Sequence, residues 1–285
     1  MKKVLVTGAT GFLGNYIIKE LLQSSYAVIA SSANEAKAVK TSWYHDVKYI
    51  PLDFSQLDPS VNYYDYFSRP DAMIHLAWEG LPNYKSSFHL DTNLPRHLKF
   101  LKNILENGLS DLTVTGTCLE YGMLEGSLTE EMEVHPSNPY AMAKNELRKY
   151  LQQYQVENFF DFKWVRLFYM FGNGQNPNSL HSQLEKALAN NETVFNMSKG
   201  DQVRDFLPVK TVAEYVTRIS IQNNVQGIIN CCSGNPISVK EFVQAYLQQT
   251  GQKINLHLGY YPYTDYEPMS FWGDNRKLKT ILNND

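Results

Sequence analysis

Tyr140 and Lys144 stand four residues apart in the run Tyr140-Ala141-Met142-Ala143-Lys144, directly after Pro139. On a helix opened by that proline, side chains at i and i+4 share one face, so an ammonium can sit beside a phenol and stabilise its phenolate. That is equipment for moving a proton. Thr117, at the end of Thr115-Gly116-Thr117, can bring a hydroxyl to the edge of the sheet where open α/β folds bind ligands. The run Thr7-Gly8-Ala9-Thr10-Gly11-Phe12-Leu13-Gly14 spaces its glycines as GxxGxxG. Between a strand and a helix, such a turn lets a diphosphate rest on backbone N–H groups at the positive end of the helix dipole, where a Cβ would obstruct the approach or the packing. Gly8, Thr10, Gly11, Phe12, Leu13 and Gly14 are therefore candidate contacts for a dinucleotide.

Regular elements have to carry these groups. Lys3-Val4-Leu5-Val6-Thr7 has the pattern of a short buried strand, and Phe12, Leu13, Ile17, Leu21 and Leu22 recur with helical spacing over 11–23. A strand over 26–31 completes a βαβ unit of about 30 residues. The alternation predicts further strands over 47–52, 72–76, 111–115 and 162–168, and helices over 86–106 and 139–155. Such alternation means a parallel sheet covered on both faces, a doubly wound α/β fold. The polar, turn-rich run over 172–177 breaks the rhythm. A Rossmann-type dinucleotide-binding domain is expected over 1–170, with 206–235 returning to it. A smaller substrate-binding cap is expected over 171–205 and 236–285. Helices over 179–190, 210–222 and 238–249 and a strand over 227–230 fill this second half.

In a dinucleotide-binding fold the end of the second strand reads the ribose, and an acidic residue there selects NAD. Ser31-Ser32-Ala33-Asn34 offers hydroxyls without a carboxylate and Lys37 follows, which favours NADP(H); Glu35 leaves NAD(H) possible. The 285 residues carry 26 Lys+Arg against 29 Asp+Glu, a net charge of −3. That balance supplies no positive field for a polyphosphate chain, so no nucleic-acid partner is expected. The charged run Arg96-His97-Leu98-Lys99 reads as a solvated helix face. After Met1-Lys2-Lys3 the apolar run is only Val4-Leu5-Val6, too short for a signal-peptide core or a membrane span. A cytoplasmic protein without a membrane partner is the expectation. Cys118, Cys231 and Cys232 show no CxxC spacing and read as buried thiols; no metal is expected. Aromatic residues make up 13% of the chain, enough to line a site for a polar ring-shaped ligand as well as a core.

These pieces in this order resemble the extended branch of the short-chain dehydrogenase/reductase superfamily, whose members act on nucleotide-sugars. Beyond the glycine motif and the Tyr140/Lys144 pair, the resemblance rests on Asp53-Phe54 after the third strand and His75-Leu76-Ala77 ending the fourth. It continues through Asn93 in the long helix, Thr117 four residues before Tyr121-Gly122, and 166–172 past Leu167 and Tyr169. The segment 203–209, with Arg204, and the final Asp274-Asn275-Arg276-Lys277-Leu278 complete it. The resemblance implies hydride exchange between a nicotinamide cofactor and a sugar carbon while Tyr140 exchanges the proton. In it Lys144 holds the ribose and lowers the pKa of Tyr140, and Thr117 donates to the reacting oxygen. It further implies cofactor contacts at Ser31, Ser32, Asp53, Phe54, Leu76, Ala77, Asn93 and Leu167, and a grip on the substrate diphosphate by Arg204. Trp78, Tyr169, His181 and Tyr261 are expected at the sugar, and a homodimer through two long helices is a family expectation.

Departures from the branch's patterns narrow the reaction. Dehydratases of this kind carry Asp-Glu directly after the active-site Thr, where this chain has Cys118-Leu119. Enzymes that epimerise beside the ketone use a Cys two residues before the Tyr121 position and a loop His, where this chain has Leu119 and no histidine over 171–177. Cys118 lies one position off and would point away along an extended strand. The expectation is an NADPH-dependent 4-ketoreductase. It would act on a dTDP-, GDP- or CDP-linked 4-keto-6-deoxyhexose destined for surface polysaccharide such as the O-antigen of lipopolysaccharide. An NAD-dependent 4-epimerase is the alternative, and a non-catalytic dinucleotide-binding regulator the reading from a different class.

Overall fold

The computed structural model describes residues 1–263 and 265–283. Strand β1 (Lys3–Thr7) runs through the glycine turn into α1 (Phe12–Gln23), and β2 (Ala27–Ser31) lies parallel beside β1. Short α2 (Glu35–Ala38) and β3 (Lys48–Tyr49) follow, then α3 (Tyr63–Tyr66) and β4 (Ala72–His75). A π-helical turn, His89–Asn93, leads into α4 (Leu94–Glu106), where Pro95 sits in the first turn. Next come β5 (Asp111–Thr117), a 3-10 turn at Cys118–Tyr121, β6 (Gly126–Leu128), α5 (Pro139–Glu157) and β7 (Asp161–Leu167). The expected strand over 47–52 shrinks to Lys48–Tyr49, although Ile50 and Leu52 still donate to the Ala30 and Ser32 carbonyls at 3.0 and 3.3 Å.

The second half holds β8 (Tyr169–Phe171), α6 (Leu180–Ala189), β9 (Val194–Asn196), β10 (Val203–Pro208), α7 (Val209–Ile221) and β11 (Gly227–Cys231). It ends with β12 (Pro236–Ser238), α8 (Val239–Thr250), β13 (Asn255–His257), β14 (Phe271–Gly273) and α9 (Arg276–Leu282). Strands shorter than four residues carry too few alternations to be read from the sequence.

Seven parallel strands form the main sheet in the order β3-β2-β1-β4-β5-β7-β11. The strand order reverses between β1 and β4, the place where doubly wound sheets open a crevice for ligands. Helices α1, α7 and α9 cover one face through Ile17, Leu21, Val212, Val216, Leu278 and Ile281. On the other face α3, α4 and α5 bury Phe67, Phe100, Ile104, Leu147 and Leu151. Helix α9 lies in the segment assigned above to the cap, yet its apolar stripe packs on α7 and β11. The cap proper has the small sheet β12-β10-β8 and the pair β9-β13, with α6 and α8 packed through Leu184, Phe195, Phe242 and Val243. Among the described residues no helix is long and apolar enough to cross a membrane.

Candidate active site

The glycine turn is shaped by contact. Gly8 has φ +72°, and a Cβ there would lie 2.8 Å from the backbone nitrogen of Ala77, so Leu76 and Ala77 pack directly on the turn. A Cβ on Gly14 would drive into the Gly8 carbonyl, which already accepts the Gly11 N–H at 2.9 Å. Gly11 is the N-cap of α1, and no side chain among the described residues caps that end. The first-turn N–H groups of Phe12, Leu13 and Gly14 thus face outward at the positive end of a twelve-residue helix. Together the turn and the helix end fit a dinucleotide's diphosphate.

At the end of β2, Ser31 is buried and its carbonyl accepts the Ala9 N–H at 3.0 Å. The Tyr49 phenol donates to the Ser32 carbonyl at 2.8 Å, so the Ser32 hydroxyl, 3.0 Å away, donates to the Tyr49 oxygen. Tyr44 packs on Tyr49 and donates to the Glu35 carboxylate at 2.9 Å. This edge therefore carries a carboxylate and an occupied serine hydroxyl.

Helix α5 begins at Pro139 with Asn138 as its cap, the amide oxygen accepting the Ala141 N–H at 3.0 Å. This start fixes Tyr140 in the first turn and Lys144 one turn later. Both are buried, and Tyr140 lines a cavity of about 370 Å³ together with Thr117. The Thr117 hydroxyl accepts the Leu119 N–H at 3.2 Å. Its own hydrogen is left to donate into the cavity.

Among the described residues Lys144 makes no hydrogen bond to the Tyr140 phenol. Its Nζ donates to the Thr115 carbonyl at 2.9 Å and lies 4.1 Å over the Trp78 ring. Burial pushes the Tyr140 phenol up, the Tyr84 phenol, Glu120 and Cys118 add to the rise, and Thr117 alone pulls it down. Burial likewise lowers Lys144 to about 7, against an opposing pull from Glu120. The arrangement holds Tyr140 as a neutral O–H, a proton donor.

Trp78, expected at the sugar, is half-buried, its ring meeting the edge of Tyr140 with centroids 6.1 Å apart. It stacks on His97 with centroids 4.7 Å apart, and its N–H donates to His89 Nδ1 at 3.1 Å. His89 Nε2 in turn donates to the Asn83 carbonyl at 2.9 Å, which makes His89 the neutral Nε2–H tautomer. His97 continues to His75 at 2.8 Å and thence to the Thr7 hydroxyl at 2.8 Å. Burial holds both imidazoles well below their ordinary pKa. So His97 belongs to the core and not to a solvated face, since the helix turns it inward onto Trp78 and Phe54.

Two expected cofactor contacts are likewise engaged elsewhere. Asn93 donates to the Glu79 carbonyl at 2.8 Å and pins the loop after β4. Asp53 caps the short turn Phe54–Gln56 by accepting the Ser55 N–H at 2.7 Å, and Phe54 packs on His97 and Phe100.

On the cap side, Leu167 and Tyr169 line the cavity beside Tyr140, and a second cavity of about 420 Å³ continues past Tyr169, His181, Arg204 and Tyr261. Arg204 is 2% exposed and fully engaged. It donates to Glu267 at 3.0 Å, to the Tyr169 oxygen at 3.3 Å and to the carbonyls of Val203 and Met269. A diphosphate reaching it meets Glu267 already in place. His181 is buried between Phe171 and Tyr246, and burial lowers its pKa. Tyr261 is half exposed at the rim.

Cys118 corrects the expectation that its side chain turns away. The chain enters the 3-10 turn at Cys118–Tyr121, so strand alternation no longer applies, and Cys118 and Leu119 both line the cavity. Burial raises the Cys118 thiol, which leaves it neutral. Leu81, Pro82, Phe168 and Met170 complete a largely apolar wall. The residues missed by the sequence reading are Glu120, His89 and Glu267. Only Glu120 had a local signal, the capping-box spacing Thr117-x-x-Glu120.

A family model described as the NAD dependent epimerase/dehydratase family matches residues 4–232. The chain belongs to that family. Among its relatives, dTDP-6-deoxy-L-talose 4-dehydrogenase (NAD(+)) of Aggregatibacter actinomycetemcomitans is 29% identical, over 95% of this chain and 98% of that protein. GDP-6-deoxy-D-talose 4-dehydrogenase of the same organism is 25% identical, over 99% and 92%. The solved UDP-N-acetylglucosamine 4-epimerase from Methanobrevibacter ruminantium M1, in complex with UDP-N-acetylmuramic acid, shares the fold at TM-score 0.85 and 22% identity, covering 98% of this chain and 91% of that one. The chain is an enzyme of this family, and nucleotide-sugar 4-dehydrogenases and 4-epimerases are its relatives.

Proposed function

We propose that the protein reduces the 4-ketone of a nucleotide-linked 6-deoxyhexose, reversibly, with a nicotinamide dinucleotide as the hydride carrier. The observation that carries this reading is the convergence of Thr117 and Tyr140 on one cavity whose remaining walls are mostly apolar, with Lys144 buried one helical turn beyond Tyr140. Loss of water or inversion beside the ketone needs an acid and a base next to the flanking carbons. Here Cys118 and Leu119 occupy the place after Thr117, and the one carboxylate in the lining, Glu267, is paired with Arg204. Chemistry at a single carbinol or ketone centre is what remains.

When bound, the cofactor would supply or accept the hydride; Gly8, Gly11 and the first turn of α1 would hold its diphosphate. Tyr140, kept neutral by burial, gives its proton to the ketone oxygen as that oxygen becomes an alkoxide. Thr117 donates its hydroxyl hydrogen to the same oxygen. Leu81, Pro82 and Leu119 give the cavity an apolar wall that suits a methyl group at C6. The relatives named as 6-deoxytalose 4-dehydrogenases support this substrate class.

For the cofactor, the edge of β2 now favours NAD(H) over the NADP(H) expected from sequence. The Ser32 hydroxyl is engaged by Tyr49, and Glu35, held by Tyr44, supplies a carboxylate just beyond the end of β2. Purified protein given a dTDP-4-keto-6-deoxyhexose should consume NADH in proportion to the ketone, with NADPH the poorer donor. Interconversion of 4-epimers on retained NAD, with no net consumption of NADH, would establish the epimerase instead.

A further inference from the structure

Glu120 is completely buried, three residues beyond Thr117, and outside the lining of the substrate cavity. Its Oε1 accepts the Thr117 N–H at 2.9 Å, and its two oxygens share the Trp164 indole N–H at 3.0 and 3.1 Å. Oε2 accepts Arg166 Nε at 2.9 Å, with Arg148 Nε 3.8 Å away. Burying so many charges is a poor way to gain stability, because well-packed apolar residues of similar volume usually do as well or better. The strand is nonetheless shaped around this carboxylate: a Cβ on Gly116 would run into both Glu120 Oε1 and Trp164 Nε1.

What the carboxylate controls is the corner where β5 becomes the 3-10 turn. Thr117 is clamped twice there, its N–H by Glu120 and its hydroxyl oxygen by the Leu119 N–H. With its oxygen held by the Leu119 N–H, the Thr117 hydroxyl keeps its hydrogen free to donate, and Thr117 lines the cavity with Tyr140. We propose that Glu120 is a positioning residue for the reaction, holding Thr117 so that its hydroxyl donates to the oxygen that receives the Tyr140 proton. The inference rests on the function proposed above, in which those two residues handle the reacting oxygen.

The test uses the full chain, a dTDP-4-keto-6-deoxyhexose and NADH, with the variants Glu120→Gln, Glu120→Asp, Thr117→Ala and the double variant Thr117→Ala/Glu120→Gln. Glu120→Asp keeps the charge against Arg166 but is too short to hold the Thr117 N–H as well, so it carries the test if Glu120→Gln fails to fold. Both single Glu120 variants should lower kcat by about 30-fold, while KM for the sugar and Kd for NADH stay within about threefold. Thr117→Ala should cost about 100-fold, and the double variant no more than about threefold beyond it, because the two residues act through one group. A folded Glu120 variant with wild-type kcat, or losses that multiply in the double variant, would overturn the positioning role alone. Wild-type protein that does not turn over this pair would contradict the proposed function and the positioning role together.

Discussion

The Lys144 ammonium lies 4.1 Å above the ring of Trp78, which also meets His97, His89 and the edge of Tyr140. A cation over an indole face is worth about 0.5 to 2 kcal/mol, the larger figure when desolvated. In this protein the indole also serves as the shelf that keeps the lysine beneath Tyr140 and away from solvent. Trp78→Leu should therefore lower kcat by about 3- to 30-fold through misplacement of Lys144. The large-to-small change at this half-buried position should also cost roughly 1 to 2 kcal/mol of stability. Turnover and urea unfolding of one preparation check both; a variant that loses stability but keeps its turnover would show that the shelf has no part in the reaction.

The depressed pKa of Lys144, about 7 against an ordinary 10.5, has a consequence for folding. Between those values the unfolded chain binds the proton and the folded chain does not, so this group makes the protein more stable as pH rises. Below about 7 both states are protonated and the full burial penalty applies. Lys144→Met lacks the titration. Its stability relative to wild type should be most favourable at about pH 6 and decline toward about pH 9. Denaturant melts across that range supply the measurement, and a constant difference would mean Lys144 keeps its proton throughout.

Arg204 and Glu267 form a nearly dry ion pair in the wall of the cap cavity. If Arg204 receives the substrate diphosphate, Glu267 competes with it for the same guanidinium. Glu267→Gln should then tighten binding of dTDP by about threefold to tenfold while lowering stability, since a buried cation loses its counter-charge. Calorimetric titration with dTDP distinguishes the outcomes, and weaker binding by the variant would remove Arg204 from the diphosphate site.

Most of the frame was legible because long periodic segments report it. The βαβ unit, the parallel sheet, and the positions of Tyr140 and Lys144 follow from local spacing and from Pro139, and the structure has them. The hub at Glu120 had a capping-box signature, but its partners Trp164 and Arg166 are more than forty positions away on β7. The stacking of Trp78 on His97 and the pairing of Arg204 with Glu267 are also long-range contacts, which no local pattern encodes. The exact place of the Lys144 nitrogen was hidden for a related reason. Helical spacing put Lys144 on the right face, but the Thr115 carbonyl and the Trp78 ring decide where its nitrogen ends. Cys118 was misjudged because strand alternation was carried one residue past the end of β5.

The central claim is that hydride is exchanged with the sugar at one carbon while Tyr140 handles the proton. It is tested most directly with NADH carrying deuterium at the transferred position and a dTDP-4-keto-6-deoxyhexose, the product being read by NMR. The account predicts deuterium at C4 alone, and loss of turnover by at least about 1000-fold in Tyr140→Phe. Deuterium at any other carbon, an unlabelled 4-epimer, or full turnover by Tyr140→Phe would contradict it.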